Sequence, residues 1–475
     1  MPPGPPLPVA SEPLDRNRDE SLIYRQFWLR SGEVGPLKIS SVSWKVLLAG
    51  LLIREAFSFW TGNPYDLEVW IRTGHAVANG VNPYVSFWPD VPGVSFAFLT
   101  STLPSAAYLP FWPALLGELY RLWEVAGGGN RFVLYFLIKQ PPIWADVLTA
   151  ALLYALVLRW TGRRDAALGA LTFWSFFPYA IIISAIWGQF DSLVVVVILA
   201  ALLYREPLQR NLLYGLGIFV KLLPVIYLPL EVFRSRGPRR LTFLVALVLP
   251  LALSALVFVA EGWQFTGIFA TGQSQTYGGG GGMNLAGILA SPPFLYAIEA
   301  IPYLYTGLAY LYVPGVIVAG WVGARWIRPN DPRTELRAVL LVTTIFLLLR
   351  WGLYEQYMIY LFALMVLDIA AFHSSRRSFL TYLWVLSLVF LLVNNDLGAR
   401  FVTPLDTTLW ATLSNLDQSS AYGAVRGWSL EILDAIVTVS LIQWVLELVR
   451  DRERPVPWLW PWARADRPTA EPLAP

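Results

Sequence analysis

Apolar runs of about 17 to 22 residues recur along most of the 475-residue chain, the length an α-helix needs to cross roughly 30 Å of hydrocarbon. In lipid, backbone polar groups are satisfied only within helices or closed barrels, and a barrel would show shorter alternating segments. The expected fold is therefore an all-α, polytopic transmembrane helical bundle. A mean hydropathy of +0.53 and 22 Trp exclude soluble classes, and no nucleic-acid partner is expected. With no Cys there is no disulfide and no thiolate metal site. No secretory signal is visible: residues 1–40 form a Pro-rich tail carrying Arg16, Arg18, Arg25, Arg30 and Lys38.

Candidate spans are 41–60, 132–158, 166–187, 190–204, 241–260, 301–324, 338–353, 355–372, 379–395 and 428–449. The clusters at 159–164, 205–210, 234–240, 325–337, 373–377 and 450–467, with the N-terminal tail, hold 25 Lys and Arg, against five in loops 61–131, 261–300 and 396–427. Basic residues stay cytoplasmic, so those three long loops are expected outside and both tails, 1–40 and 450–475, inside, flanking a membrane domain at 41–449. This layout requires 211–233, flanked by Arg205, Arg210, Arg234 and Arg236, to enter and leave on one side. Pro224, Gly215 and Gly217 in "GLGIFVKLLPVIYLPL" suit a broken hairpin, giving about twelve segments. Residues 104–124 carry Pro104, Pro110, Pro113, Glu118, Arg121 and Glu124 and are assigned to an interfacial helix on the outer surface, the alternative being a true span.

Within this layout the unusual polar groups converge on the outer face. Asp66, Glu68, Arg72 and His75 open the first loop. Gln189 and Asp191 sit in "AIWGQFDSL", Arg350, Glu355 and Gln356 in "LLLRWGLYEQYMIY", and Lys221 near the hairpin tip. Lys139 and Asp146, seven apart, share a face of one span. Ionisable groups at such depth each imply a partner, a wet cavity or a ligand. Plainer readings compete: a neutralising Lys139–Asp146 pair, an Arg350–Glu355 bridge between helices, or Asp66 as a helix cap. His75 has no partner at ligand spacing, so zinc is not expected.

Through these residues the chain resembles the GT-C superfamily of integral-membrane glycosyltransferases that use polyprenyl-phosphate-linked sugars. The resemblance rests on the order of Asp66, "GVNPY" at 80–84, the W-G-Q-x-D phrase of Trp187 to Asp191, the phrases around Lys139 to Asp146 and Lys221 to Pro224, and "LYEQYMIY". In the last of these Tyr354 stands where relatives carry His. The resemblance implies a GT-C fold with interfacial helices in the first outer loop. It implies transfer of a hexose, mannose above all, from a polyprenyl-phosphate donor to a hydroxyl of a glycan, lipid or protein. It implies an inverting reaction, with Asp66 as general base. Arg350 and Lys221, with His75 in a minor part, would face the phosphate. Gln189, Asp191 and Glu355 would bind sugar hydroxyls or orient those cations, and Glu68, Arg72 and Gln356 complete the expected substrate site. No cofactor is implied; "DLE" at 66–68 resembles a metal-binding D-x-D pair, but a divalent ion is not favoured for a monophosphate donor. The expected setting is a multi-pass protein of the cell membrane, or of the endoplasmic reticulum in a eukaryote, with its site on the extracytoplasmic face amid membrane lipids. The five-glycine run in "TGQSQTYGGGGGMNLAGIL", 271–289, is either a closing loop or a plain connector.

Two other classes are weighed. A transporter or lipid-linked-sugar flippase would also use Lys139, Asp146, Lys221 and a broken segment, but no half of the chain repeats the other. A scaffold subunit would not need Asp66, Asp191 and Glu355 to face one side together.

Overall fold

The computed structural model describes residues 41–84, 91, 94, 108–264, 282–290, 301 and 304–451. The expected tails at 1–40 and beyond Asp451, and all but one of the five glycines, lie outside these residues. The regular elements among the described residues are all helices, with no strand.

The chain opens with α1 (Ser41–Ser58), whose Arg54 turns inward. The first loop folds as α2 (Pro64–Ala78) and α3 (Phe111–Val125), packed against each other. Their approach depends on two glycines: a Cβ on Gly74 would lie 2.8 Å from the Leu116 carbonyl oxygen, and one on Gly117 would lie 2.2 Å from Val77. Fifteen residues give α3 a length of about 22 Å, short of the hydrocarbon thickness. That length favours the interfacial reading. Trp70, Trp112 and Phe190 lead a separate apolar cluster under this platform, with Trp112 stacked on Phe190 at 4.3 Å.

Behind it stands α4 (Arg131–Thr161), with α5 (Arg164–Ser175) packed along it. Residues expected as one span at 166–187 are two pieces bent by 44°. Pro178 opens the second, α6 (Pro178–Ile181), which passes into a π-turn at Ile182–Trp187. After α7 (Asp191–Ala201) come α8 (Pro207–Val220) and α9 (Leu228–Arg234), joined through Lys221, Leu222 and a tight turn at Leu223–Tyr227. Pro224 has no N–H to give the Val220 carbonyl, so α8 cannot continue. Arg210 near its start and Glu231 in α9 lie 3.2 Å apart, so the chain returns to where it entered. The 211–233 segment is a hairpin, with Lys221 at its tip.

The remaining helices are α10 (Phe243–Ala260), the short α11 (Leu285–Ala290) and α12 (Leu304–Ala309), α13 (Tyr312–Trp326), α14 (Pro332–Leu349), α15 (Met358–Ala371), α16 (Arg377–Asn394), α17 (Thr408–Gln418) and α18 (Ser420–Arg450). Five stretches, Arg131–Thr161, Gly237–Ala260, Gly307–Trp326, Ser374–Asn394 and Ser420–Arg450, are each long and apolar enough to cross a membrane. The other expected spans are shorter, broken or more charged. The expected spans 338–353 and 355–372 become α14 and α15, separated by a non-α linker at 350–357.

Candidate active site

Helix ends are where backbone and polar side chains become available, and five of them meet around a cavity of about 670 Å³. Its polar wall is drawn from the start of α2 (Asp66), the W-G-Q-x-D turn (Trp187, Gln189), the hairpin tip (Lys221), the 350–357 linker (Arg350, Glu355) and the segment after α16. An apolar flank from Leu222 to Ile226, with Phe346, borders the same space.

Asp66 is oriented rather than merely present. The Asn63 side chain caps α2 by accepting from the Tyr65 and Asp66 amides at 3.0 and 3.3 Å, so capping falls to Asn63 and leaves the Asp66 carboxylate free. The Asn-Pro pair at 63–64 was the available signal. Asp66 Oδ2 accepts from the Trp187 indole at 2.5 Å and from Gln189 Nε2 at 2.8 Å. Both bonds fall on one oxygen, which leaves Oδ1 for the cavity. Burial pushes this carboxyl above its usual range, against the lowering effects of those two donors and of Lys221.

The turn that supplies Trp187 and Gln189 is itself pinned. Gly188 sits at φ +93°, and a Cβ there would lie 3.1 Å from Lys139. Lys139, fully buried, donates to the Thr61 carbonyl at 2.5 Å, to Thr61 Oγ1 at 3.1 Å and to the Ile186 carbonyl at 3.4 Å. It thereby ties the start of the first loop to the turn. Lys139 and Asp146 are not a pair: seven residues of helix separate them by about 10 Å. Asp146 bonds Arg54, Trp174 and Ser184 instead.

Lys221 donates to Asp191 Oδ1 at 2.8 Å, and Tyr360 hydroxyl donates to the same oxygen. Asp191 is fully buried and does not line the cavity, so its part is to hold Lys221. The ammonium lies 4.9 Å from the Phe190 ring and 4.8 Å from the Tyr357 ring. Arg350 lies over Tyr357 at 4.5 Å and forms no ion pair among the described residues. The alternative of an Arg350–Glu355 bridge is not met among the described residues; Glu355 accepts from Asn394 at 2.5 Å. The Asn284 side chain donates to the Leu347 and Arg350 carbonyls at 2.7 Å each, fixing the end of α14 from which Arg350 projects. Gln356 and Tyr354 also line the space.

Three expected substrate-site residues stand elsewhere. Glu68 and Arg72 are fully buried and paired with each other along α2, because residues two apart on a helix face apart and Asp66 takes the cavity side. The 66–68 carboxylates therefore do not converge as a D-x-D pair. His75 packs edge-on against Tyr120 at 5.3 Å, one helical turn beyond, and is not on the cavity. The "GVNPY" phrase is a brace: Tyr84 donates to the Tyr108 carbonyl at 2.8 Å and stacks on Phe258. Sequence reasoning missed Asn394, Arg400, Trp410 and Arg426 on the far wall. Arg400 and Arg426 are the two basic residues of the 396–427 loop, unusual for a loop expected outside, and that was the signal available.

Residues 133–350 match the model of glycosyltransferase family 87, a stretch that takes in Lys139, the W-G-Q-x-D turn, the hairpin tip and Arg350. The chain is a glycosyltransferase, and the match supports a membrane enzyme of the GT-C type. The transporter and scaffold readings give way to an enzyme with a sugar donor and an acceptor. No curated protein matches the sequence. In the glycosyltransferase the matched stretch carries Lys221 and Arg350, while Asp66 and Glu355 flank it on either side in sequence and meet it in space.

Proposed function

We propose that this glycosyltransferase moves a hexose, mannose by preference, from a polyprenyl-phosphate donor to an acceptor hydroxyl on the extracytoplasmic face, with inversion. One observation carries the reading: a single cavity holds a carboxylate oriented by two donors, the cations Lys221 and Arg350, and an apolar flank. Asp66 Oδ1 takes the proton of the acceptor hydroxyl, and the oxygen attacks the anomeric carbon as the bond to phosphate oxygen breaks. The sugar leaves the phosphate with its anomeric configuration reversed, and polyprenyl phosphate departs with its negative charge. Lys221 and Arg350 face that charge in a poorly hydrated site, where fixed electrostatics count for more than in water. The apolar flank from Leu222 to Ile226 suits the first isoprene units of the donor. The 25-to-5 bias in basic residues supports placing the first loop, and hence the cavity, outside.

The test uses the full chain in nanodiscs with radiolabelled polyprenyl-phosphate mannose or glucose, and with GDP-mannose and UDP-glucose as controls. Transfer to a glycoside acceptor from a polyprenyl-phosphate donor, with an inverted linkage by NMR, is expected. Transfer from the nucleotide sugars alone, or retention of configuration, overturns it.

A further inference from the structure

The far wall of the cavity has a charge arrangement unlike that around Lys221 and Arg350. Arg400 is bonded to both Asp396 and Asp417, and Arg426 lies 3.5 Å from each of the same two carboxylates. Two guanidiniums and two carboxylates close a ring with no net charge. The ring meets the cavity through its cations: Arg400 and Arg426 line it and are 22% and 20% exposed, while Asp396 and Asp417 are off the lining and answer their charge. Trp410 lines the cavity beside it, 5.4 Å from the Arg400 guanidinium. Asn394 joins the ring to the rest of the site, accepting from Arg426 and donating to Glu355.

A phosphate-bearing ligand is served best by a cation whose charge is not fully answered by carboxylates; among the described residues each guanidinium of this wall meets two carboxylates, whereas Lys221 meets one and Arg350 none. Guanidinium donors whose charge is already answered, on the same lining as the Asn394 amide and the Glu355 carboxylate, match vicinal hydroxyls, each of which both gives and takes a hydrogen bond. An indole beside it offers the flat apolar surface that the C–H face of a pyranose covers. We propose that Arg400, Trp410 and Arg426, the two guanidiniums held by Asp396 and Asp417, form the acceptor subsite, and that it takes an uncharged sugar, the terminal residue of a glycan or glycolipid, rather than an anionic lipid headgroup. This rests on the transferase reading of the same cavity. It assigns the two substrates by charge: the phosphate goes to Lys221 and Arg350, and the neutral polyol to the closed ring.

The full chain in nanodiscs is assayed with polyprenyl-phosphate mannose and glucose against octyl α-mannoside, octyl β-glucoside and phosphatidylglycerol as acceptors. At least one octyl glycoside should be used with a kcat/KM tenfold or more above that for phosphatidylglycerol. Trp410→Ala and Arg400→Lys, the second keeping the charge but losing the planar fork, should raise the glycoside KM at least tenfold and leave the donor KM within twofold. Preference for phosphatidylglycerol, or substitutions that move the donor KM and not the acceptor KM, overturns the assignment. Should the wild-type chain turn over neither donor, the transferase chemistry fails by itself. Binding of the octyl glycosides, followed by tryptophan fluorescence, then decides the subsite: saturable binding lost in Trp410→Ala upholds it, and no binding overturns it.

Discussion

Arg54–Asp146 and Lys221–Asp191 are both buried cation–carboxylate pairs, at 2.7 and 2.8 Å, yet they differ in what surrounds them. Around the first, every group is answered from within the protein. Arg54 also donates to the Gly50, Trp174 and Ser175 carbonyls, and Asp146 also accepts from Trp174 and Ser184. Around the second, Asp191 is fully buried while Lys221 remains 14% exposed, with aromatic rings and the cavity on its open side. A closed pair in a bundle fixes helices α1, α4 and α5 to one another. A pair left open on one side keeps a cation oriented for something that is not part of the chain. Burial by itself does not separate structural from functional charge; the completeness of the hydrogen bonding does.

Breaking the closed pair should have the largest effect. Arg54→Met leaves Asp146 as a buried, uncompensated carboxylate, a change that costs about 3–5 kcal/mol. Folded yield and thermal stability in detergent should collapse, and adding Asp146→Leu should recover part of the loss. A stable, active Arg54→Met protein would show that the closed pair is dispensable. Opening the second pair acts on function instead. Losing a charged hydrogen bond to the donor is worth about 1.5–3 kcal/mol, or roughly ten- to a hundredfold. Lys221→Met should therefore raise the donor KM by about that factor; it also lowers thermal stability, though less than Arg54→Met, because the buried Asp191 keeps its Tyr360 hydrogen bond. An unchanged donor KM removes Lys221 from the phosphate site.

How far the sequence could draw this contrast varies along the chain. The helical bundle, the hairpin at 211–233 and the short helices of the first loop follow from apolar run length, Pro224 and the basic bias, all of which are local. The polar residues of the site were also visible, because charge in an apolar chain stands out. Their partners were not. Periodicity put Lys139 and Asp146 on one face but could not show that each reaches across to a different helix. The same spacing rule separates Asp66 from Glu68 on α2, yet only the packing of α2 on α3 decides which of the two meets the cavity. Arg400 and Arg426 were overlooked because their partners, Asp396 and Asp417, come together through the turn between α16 and α17. The smallest expected effect follows from this: His75→Gln, off the cavity and against Tyr120, should change kcat and both KM values by less than about twofold, since surface contacts of this kind are worth within about 0.5 kcal/mol. A tenfold loss would bring His75 back to the site.

The central claim is that Asp66 is the base, and the pH dependence of Asp66→Asn against wild type tests it most directly. The base works as the carboxylate, and burial raises its folded pKa above the usual 3.8, so activity should be present above that raised value and fall as pH drops through it. Wild-type kcat/KM should show an acidic limb displaced upward from the ordinary Asp range. Asp66→Asn should lose about 10²- to 10⁴-fold in kcat, with stability nearly unchanged and that limb gone. Glu68→Gln, two positions along α2 and paired with Arg72, should keep the limb. Near-normal turnover in Asp66→Asn, above all with turnover abolished in Glu68→Gln, would contradict the account and move the base away from Asp66.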